Sequence, residues 1–306
     1  MLPYQNQIVD AFVKMLRPGA KDILEIGSDI GCEVATAIAQ RTGASVVGIN
    51  PSGEFPAPVG PALSNAKFMR ADGRALPFPD NSFDAVLSVA TMEHVNGLDI
   101  FLSEVARVLK PKGLFYTEFS PIWSSAKGHH VYAVVGPKEA RFWKPGKNPI
   151  PDYGHLLMSP DEMREYLHSG PCTEELIDPI IQWVYFGDSI NRHHFEEYLE
   201  AFRKCPLIIE NIYFGYDAPD IETLASLHSK YGVEHDFTCA SISTVLRKSP
   251  DGPEVQRLFF RIYITLRRIL GQWSKRQIMR IRLLIRIFLI PFSPFLKLWR
   301  TLFRST

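Results

Sequence analysis

A chain of 306 residues, 46% of them hydrophobic, has room for one large or two ordinary domains and enough apolar side chains for a sizeable core. Its four cysteines, Cys32, Cys172, Cys205 and Cys239, are scattered without a Cys-x-x-Cys pair, which argues against a zinc ribbon or disulfide scaffold and suits a reducing compartment. A net charge of +1 conceals an asymmetry: residues 254–306 carry 12 Lys/Arg and one acidic residue, leaving 22 basic against 32 acidic residues in 1–253, an acidic body with a basic tail.

Residues 1–20 lack the basic start and apolar run of a signal peptide and read as an amphipathic helix, with Ile8, Val9, Phe12, Val13 and Leu16 on one face. The stretch that follows organises the chain. Ile23 to Ile26 has the length and apolarity of a buried parallel strand, Gly27 and Gly31 frame a tight turn, and residues 32–40 continue at helical spacing. Such a turn aims backbone N–H groups and a helix N-terminus at the sheet's carboxyl edge, where nucleotide-like ligands bind. Asp29 stands where a dinucleotide fingerprint has its middle glycine.

Strand-like and helix-like segments alternate up to residue 120, the pattern of right-handed β-α-β units. Further strands are expected over residues 45–49, 67–72, 83–89 and 114–119, with a proline-rich loop at 51–61. A helix is expected over 98–109, turning its Ile100, Phe101, Val105, Val108 and Leu109 inward and stopping at Pro111-Lys112-Gly113. Residues 121–160, rich in aromatics, glycine, proline and histidine, suit an active-site lid or acceptor loop. Ser159-Pro160-Asp161-Glu162 predicts a capped helix to His168, a helical insert follows, and strands at 207–213 and 237–247 flank a helix at 221–231.

Four ordered blocks now carry a resemblance: Ile23-Leu24-Glu25-Ile26-Gly27; Val46-Val47-Gly48-Ile49-Asn50; Ala71-Asp72-Gly73 with Leu76-Pro77-Phe78 and Phe83-Asp84; and residues 104–113, ending Leu109-Lys110-Pro111-Lys112-Gly113. Together they resemble the class I S-adenosylmethionine-dependent methyltransferases, particularly those near the ubiquinone and sterol enzymes. The resemblance covers residues 21–119. It implies an α/β, doubly wound, Rossmann-like sheet, mostly parallel with an antiparallel last strand, here joined by a helical insert and a basic amphipathic tail. The expected layout is a methyltransferase domain over 1–253 and membrane-associating helices over 254–306. Within the domain, 1–120 would form the cofactor half, 121–205 the acceptor loop and insert, and 206–248 the closing strands.

The resemblance places the cofactor's amino-acid part at Glu25, Gly27, Ser28 and Gly31, its ribose at Asn50 and its adenine at Asp72 and Gly73. The ribose ligand is usually acidic, so the uncharged Asn50 implies a weaker contact there.

Methyl transfer to a hydroxyl requires alignment of donor and acceptor and removal of a proton. His94 leaves the fourth strand beside the expected sulfonium, and His129, His130 and His155 follow the fifth, with Trp123 as a stacking surface. These four histidines are the candidate bases. The histidine-rich segment resembles that of polysaccharide-cluster methyltransferases, which implies a sugar hydroxyl as acceptor. A divalent ion held by these histidines and Asp152 is an open alternative, though not indicated, since their spacing fits no standard metal site. His193 and His194, expected on a helical segment, read as solvated or packing residues.

In the tail, Val255, Leu258, Phe259, Ile262, Leu266, Ile269, Leu270 and Trp273 share a face opposite Arg257, Arg261, Arg268 and Lys275. A second stretch follows at 278–290, ahead of Pro291 and Pro294. Its longest uncharged run is far short of the ~20 residues a membrane span needs. Basic amphipathic helices with aromatic margins fit the surface of an anionic membrane; packing on the acidic body or binding a partner protein are the competing readings. So much aliphatic surface would serve no purpose on nucleic acid.

The expected function is a methyltransferase on the cytoplasmic face of a membrane, acting on a lipid-linked or membrane-proximal glycan. The rivals are an isoprenoid or lipid acceptor, and a non-catalytic adaptor that retains the fold.

Overall fold

The computed structural model describes residues 1–29, 31–52, 65–170 and 172–249. The tail expected over 254–306 and most of the proline-rich loop lie outside the described residues. In chain order the elements are α1 (Pro3–Met15), β1 (Asp22–Ile26), α2 (Glu33–Thr42), β2 (Ser45–Asn50), β3 (Ala66–Arg70), β4 (Phe83–Val89), α3 (Leu98–Val108) and β5 (Leu109–Phe119). They continue with β6 (Tyr132–Val135), β7 (Lys138–Arg141), α4 (Gly154–Leu157), α5 (Pro160–Ser169), α6 (Glu174–Ile181), α7 (Phe195–Lys204), β8 (Ile208–Tyr216), α8 (Ile221–Tyr231) and β9 (Cys239–Arg247).

Seven strands form one sheet in the order β3-β2-β1-β4-β5-β9-β8, parallel from β3 through β5, with β9 antiparallel to both its neighbours. The sheet is the doubly wound one expected. Every residue of β4 is buried, as a central strand covered on both faces requires. One face packs α3 and α7 through Phe101, Leu102, Val105, Tyr198 and Phe202; the other packs α1 and α2 through Val9, Phe12, Val34 and Ile38. Because the chain runs outward through β1, β2 and β3 and then returns to β4 on the other side of β1, a crevice opens at the carboxyl ends of β1 and β4.

The amino edge is pinned by Asp84. Its buried carboxylate accepts from the backbone N–H groups of Lys21 (3.0 Å) and Asp22 (3.1 Å), from Lys110 Nζ (3.0 Å) and from Arg17. These donors outweigh burial and hold its pKa below the ordinary range.

Several boundaries differ from expectation. The fifth strand begins at Leu109, not Leu114, because Leu109 already pairs with Phe83 across an irregularity. Residues 121–160 are not an open loop: they fold into the β6–β7 hairpin and α4. Together with α5, α6 and α8 these surround a separate core that includes Trp123, Val131, Ile150, Leu156, Met163, Ile177, Ile180 and Phe237. The capped start of α5 forms as predicted, Ser159 Oγ accepting from Glu162 N (3.3 Å) and Glu162 Oε2 from Ser159 N (2.7 Å). His194 precedes α7 instead of lying within a helix. Among the described residues, no helix is long and apolar enough to cross a membrane.

Candidate functional site

The turn after β1 is held open by residues that no larger side chain could replace. Gly27 has φ +91°, and a Cβ there would overlap Thr91 Oγ1, which itself donates to Val89 O (2.9 Å) and Ile26 O (3.3 Å). A Cβ on Gly48 of β2 would run into Ser28 Oγ and the Phe68 ring. Gly48 therefore makes room for Ser28, whose hydroxyl donates to Glu25. Asp29 does not disrupt the turn: its Oδ1 accepts from Glu33 N (3.0 Å) and so satisfies one of the free N–H groups at the start of α2.

Glu25 is 2% exposed, and burial pushes its carboxyl up to about 7, against the lowering effect of the Ser28 hydroxyl. Asn50, at the end of β2, donates through Nδ2 to Ser28 O (2.9 Å) and accepts from Ser52 N (2.9 Å), tying the first two strand ends together. Asp72, just beyond β3, accepts from Arg74 Nη2 (2.6 Å) and Nε (3.0 Å), which holds its pKa low despite desolvation. A Cβ on Gly73 would overlap Phe101. The Tyr4 phenol is raised, first by burial and then by the carboxyl groups of Glu93, Asp29 and Glu118. A cradle of small residues with carboxylates converging on it fits a ligand that carries a sulfonium and an ammonium group.

The carboxyl end of β4 runs into a short 3₁₀ turn, Met92–His94. Asn191, from the connection before α7, clamps that turn. Its Nδ2 donates to Met92 O (2.7 Å) and Val95 O (3.0 Å), its backbone N–H donates to Glu93 O (3.0 Å), and its Oδ1 accepts from Tyr198 Oη (2.9 Å). The turn carries Glu93 into the interior, 1% exposed, where burial lifts its carboxyl to about 8. His94 stays at the rim with Nδ1 on Ser189 O (2.6 Å).

The four candidate histidines fall into two pairs. His130 packs edge-on against His94 with ring centroids 5.2 Å apart, and its Nε2 is 3.9 Å from Glu93 Oε1. Burial lowers His130 to about 3. His129 and His155 sit deeper, 5.3 Å apart, beneath Trp123. His129 Nδ1 accepts from Val131 N (3.0 Å), and His155 Nε2 donates to Trp123 O (2.8 Å). Burial holds His129 well below its ordinary value and His155 at about 4, so both are neutral groups of the insert's core. Trp123 is itself buried against His155 and cannot serve as the expected stacking surface.

An open cleft of about 430 Å³ lies beside this site, between the end of β5, the β6–β7 hairpin and the β8–β9 pair. Ser120, Lys127, Phe142, Trp143, Tyr216 and Asp217 line it, and Trp143 and Tyr216 are exposed aromatics. Sequence reasoning missed Gly48, Thr91, Asn191 and the burial of Glu93. The signal for Glu93 was its place four residues beyond the end of the fourth strand.

The family described as "Methyltransferase domain" matches residues 24–117. Sterol 24-C-methyltransferase ERG6B of Gibberella zeae is 37% identical over 107 residues, 33% of this chain and 27% of that protein. Demethylmenaquinone methyltransferase of Tropheryma whipplei is 39% identical over 117 residues, 36% of this chain and 47% of that protein. The chain thus spans less than half the length of these two relatives. The crystal structure of an S-adenosylmethionine-dependent methyltransferase from Mesorhizobium loti superposes with a TM-score of 0.47 at 18% identity, covering 80% of this chain and 100% of that one. The matched span runs from β1 to β5 and holds the glycine turn, the three strand ends and the Met92–His94 turn, so residues 24–117 carry a methyltransferase domain.

Proposed function

We propose that the protein is an S-adenosylmethionine-dependent methyltransferase that transfers a methyl group to a hydroxyl of a lipid-linked or membrane-proximal glycan. The cofactor would lie across the carboxyl ends of β1, β2 and β3, held by Gly27, Ser28 and Gly31 at its amino-acid end, by Asn50 at the ribose and by Asp72 and Gly73 at the adenine, with Glu25 beneath. Bound there, it supplies an electrophilic methyl group on a sulfonium. The chain's own part is to present the acceptor in line and to take its proton. The Glu93–His94–His130 group stands at the end of β4 for that second task.

One observation carries the acceptor assignment. The cleft with Lys127, Asp217 and two exposed aromatics shares Ser120 with the buried group, since Ser120's backbone lies beside both Glu93 and His130. Exposed aromatic faces beside charged hydrogen-bonding groups suit a sugar ring better than a wholly greasy one. The basic tail would hold the enzyme at the cytoplasmic face of an anionic membrane.

A second reading, an isoprenoid or other lipid acceptor, is favoured by the sterol and menaquinone enzymes among the relatives. A panel of isotope-labelled methylation reactions separates the two. The expected result is label in glycolipid or glycan fractions, reduced at least tenfold by Trp143→Ala. Label confined to isoprenoid or fatty acceptors, indifferent to that substitution, overturns the glycan assignment. Cofactor binding without label in any acceptor would favour an adaptor.

A further inference from the structure

We infer that Glu93, His94 and His130 form a binding site for one divalent transition-metal ion at the carboxyl end of β4. One ligand atom from each of the three lies within 4.8 Å of the others. Glu93 and His94 are neighbours in the chain, and the return of residues 120–130 over the β4 turn brings the distant His130 back to them.

The hydrogen bonds around the group prepare it for a cation. His94 Nδ1 is on Ser189 O at 2.6 Å and His130 Nδ1 is on Gly128 O at 3.0 Å. A carbonyl can only accept, so each ring carries its proton on Nδ1 and presents Nε2 as a bare lone pair. This is the outer-shell arrangement that orients metal-binding imidazoles. Glu93, 1% exposed, has no hydrogen-bond partner on either carboxylate oxygen, and His130, 3% exposed, has none on Nε2. The His130 lone pair and the Glu93 carboxylate are therefore buried side by side, with the Ser120 backbone near both but in hydrogen-bond geometry with neither, an arrangement that is costly when buried. A proton on Glu93 does not resolve it, because His130 Nε2 is 3.9 Å away, beyond hydrogen-bond reach. A metal does resolve it: ligand–metal distances of about 2.0–2.2 Å put donors roughly 3.3 Å apart, so from separations within 4.8 Å closure takes at most about 1.5 Å of relative movement.

Two imidazoles and one carboxylate suit ions of the zinc, cobalt or manganese type better than magnesium, which prefers oxygen. Three protein ligands leave positions open, and His94 at the exposed rim supplies the way in. The second histidine–carboxylate group, His194, Glu196 and His235, differs. There Glu196 already accepts from Asp236 N (3.0 Å) and meets His235 Nδ1 (3.2 Å), so its carboxylate is satisfied without an ion. Ion binding stands on this geometry alone. Its role rests on the methyltransferase reading: the ion would hold the acceptor oxygen at an open position and lower its pKa, and because the three ligands' lone pairs are then on the ion, the proton would pass to solvent at the exposed His94 rim.

The test uses the full chain, stripped with a chelator and titrated with Co²⁺ while visible d–d absorption is followed, then displaced with Zn²⁺. One equivalent is expected. His94→Ala, a rim substitution compatible with folding, and His130→Gln should each weaken it at least about tenfold, while His235→Ala leaves it unchanged. Mg²⁺ should not compete at equal concentration. Absence of Co²⁺ absorption in folded protein, or binding that survives His94→Ala and His130→Gln, overturns the site. Binding lost with His235→Ala moves it to the other group and overturns it equally. Because the readout is metal stoichiometry, it is independent of whether any acceptor is methylated.

Discussion

Replacing Glu25 by Gln should stabilise the protein above neutral pH while weakening its hold on the cofactor. Gln is nearly isosteric, and its carbonyl can still accept from the Ser28 hydroxyl. The carboxyl is 2% exposed and raised from 4.5 to about 7, with burial as the leading cause. In that window the unfolded chain loses its proton while the folded chain keeps it. Wild-type stability therefore falls as pH rises through it and levels off above about 7. The difference corresponds to about 3 kcal/mol, a melting shift of roughly 6–12 °C in a fold of this size. Thermal or urea unfolding of both proteins from pH 4 to 9, without ligand, should give curves that agree near pH 4 and diverge steadily to about pH 8, the variant higher. S-adenosylhomocysteine should bind the variant roughly 10-fold or more weakly at pH 8, since a charged hydrogen-bonding group is worth about 1.5–3 kcal/mol. Parallel stability curves across the whole range would refute the claim that Glu25 is held protonated by burial.

Gly27→Ala should cost about 3 kcal/mol or more by chemical unfolding, because its φ of +91° and the overlap with Thr91 both oppose a side chain; a loss below about 1 kcal/mol would mean that the turn yields easily. Asn191→Ala should destabilise by about 3 kcal/mol, leaving Met92 O and Val95 O without their donor, and amide exchange should rise at residues 92–95. Unchanged exchange there would show that the 3₁₀ turn needs no clamp. In the full chain, reversing Arg257, Arg261, Arg268 and Lys275 to Glu should abolish flotation with anionic vesicles and leave cofactor affinity unaltered. Equal flotation of both proteins would exclude the tail's charge as the membrane anchor.

The parallel half was legible because strands buried on both faces read as apolar runs, β4 being the clearest case, with all seven residues buried. Helix α8 and the capped start of α5 were legible through local chemistry, since Ser159 and Glu162 satisfy each other's backbone N–H groups whatever surrounds them. The insert was not. The four-residue strands β6 and β7 are too short for periodicity to register, and proline, glycine and histidine read as loop. The histidines were recognised by type but not by environment. His129 and His155 belong to a core, Trp123 covers them, and only His130 turns toward His94 and Glu93. Burial of this kind arises from contacts across about 25 to 35 residues of sequence, which no local pattern records.

The central claim is that the crevice at the ends of β1, β2 and β3 binds the methyl donor. Calorimetric titration of S-adenosylhomocysteine into the full chain, with Asp72→Ala beside it, tests this most directly. Asp72 is half-buried and meets Arg74 near the surface, so its loss should leave the fold intact. The account predicts one site of micromolar affinity in the wild type and a loss of at least tenfold in the variant. No heat and no thermal shift in folded wild-type protein, or equal affinity in both, would contradict it.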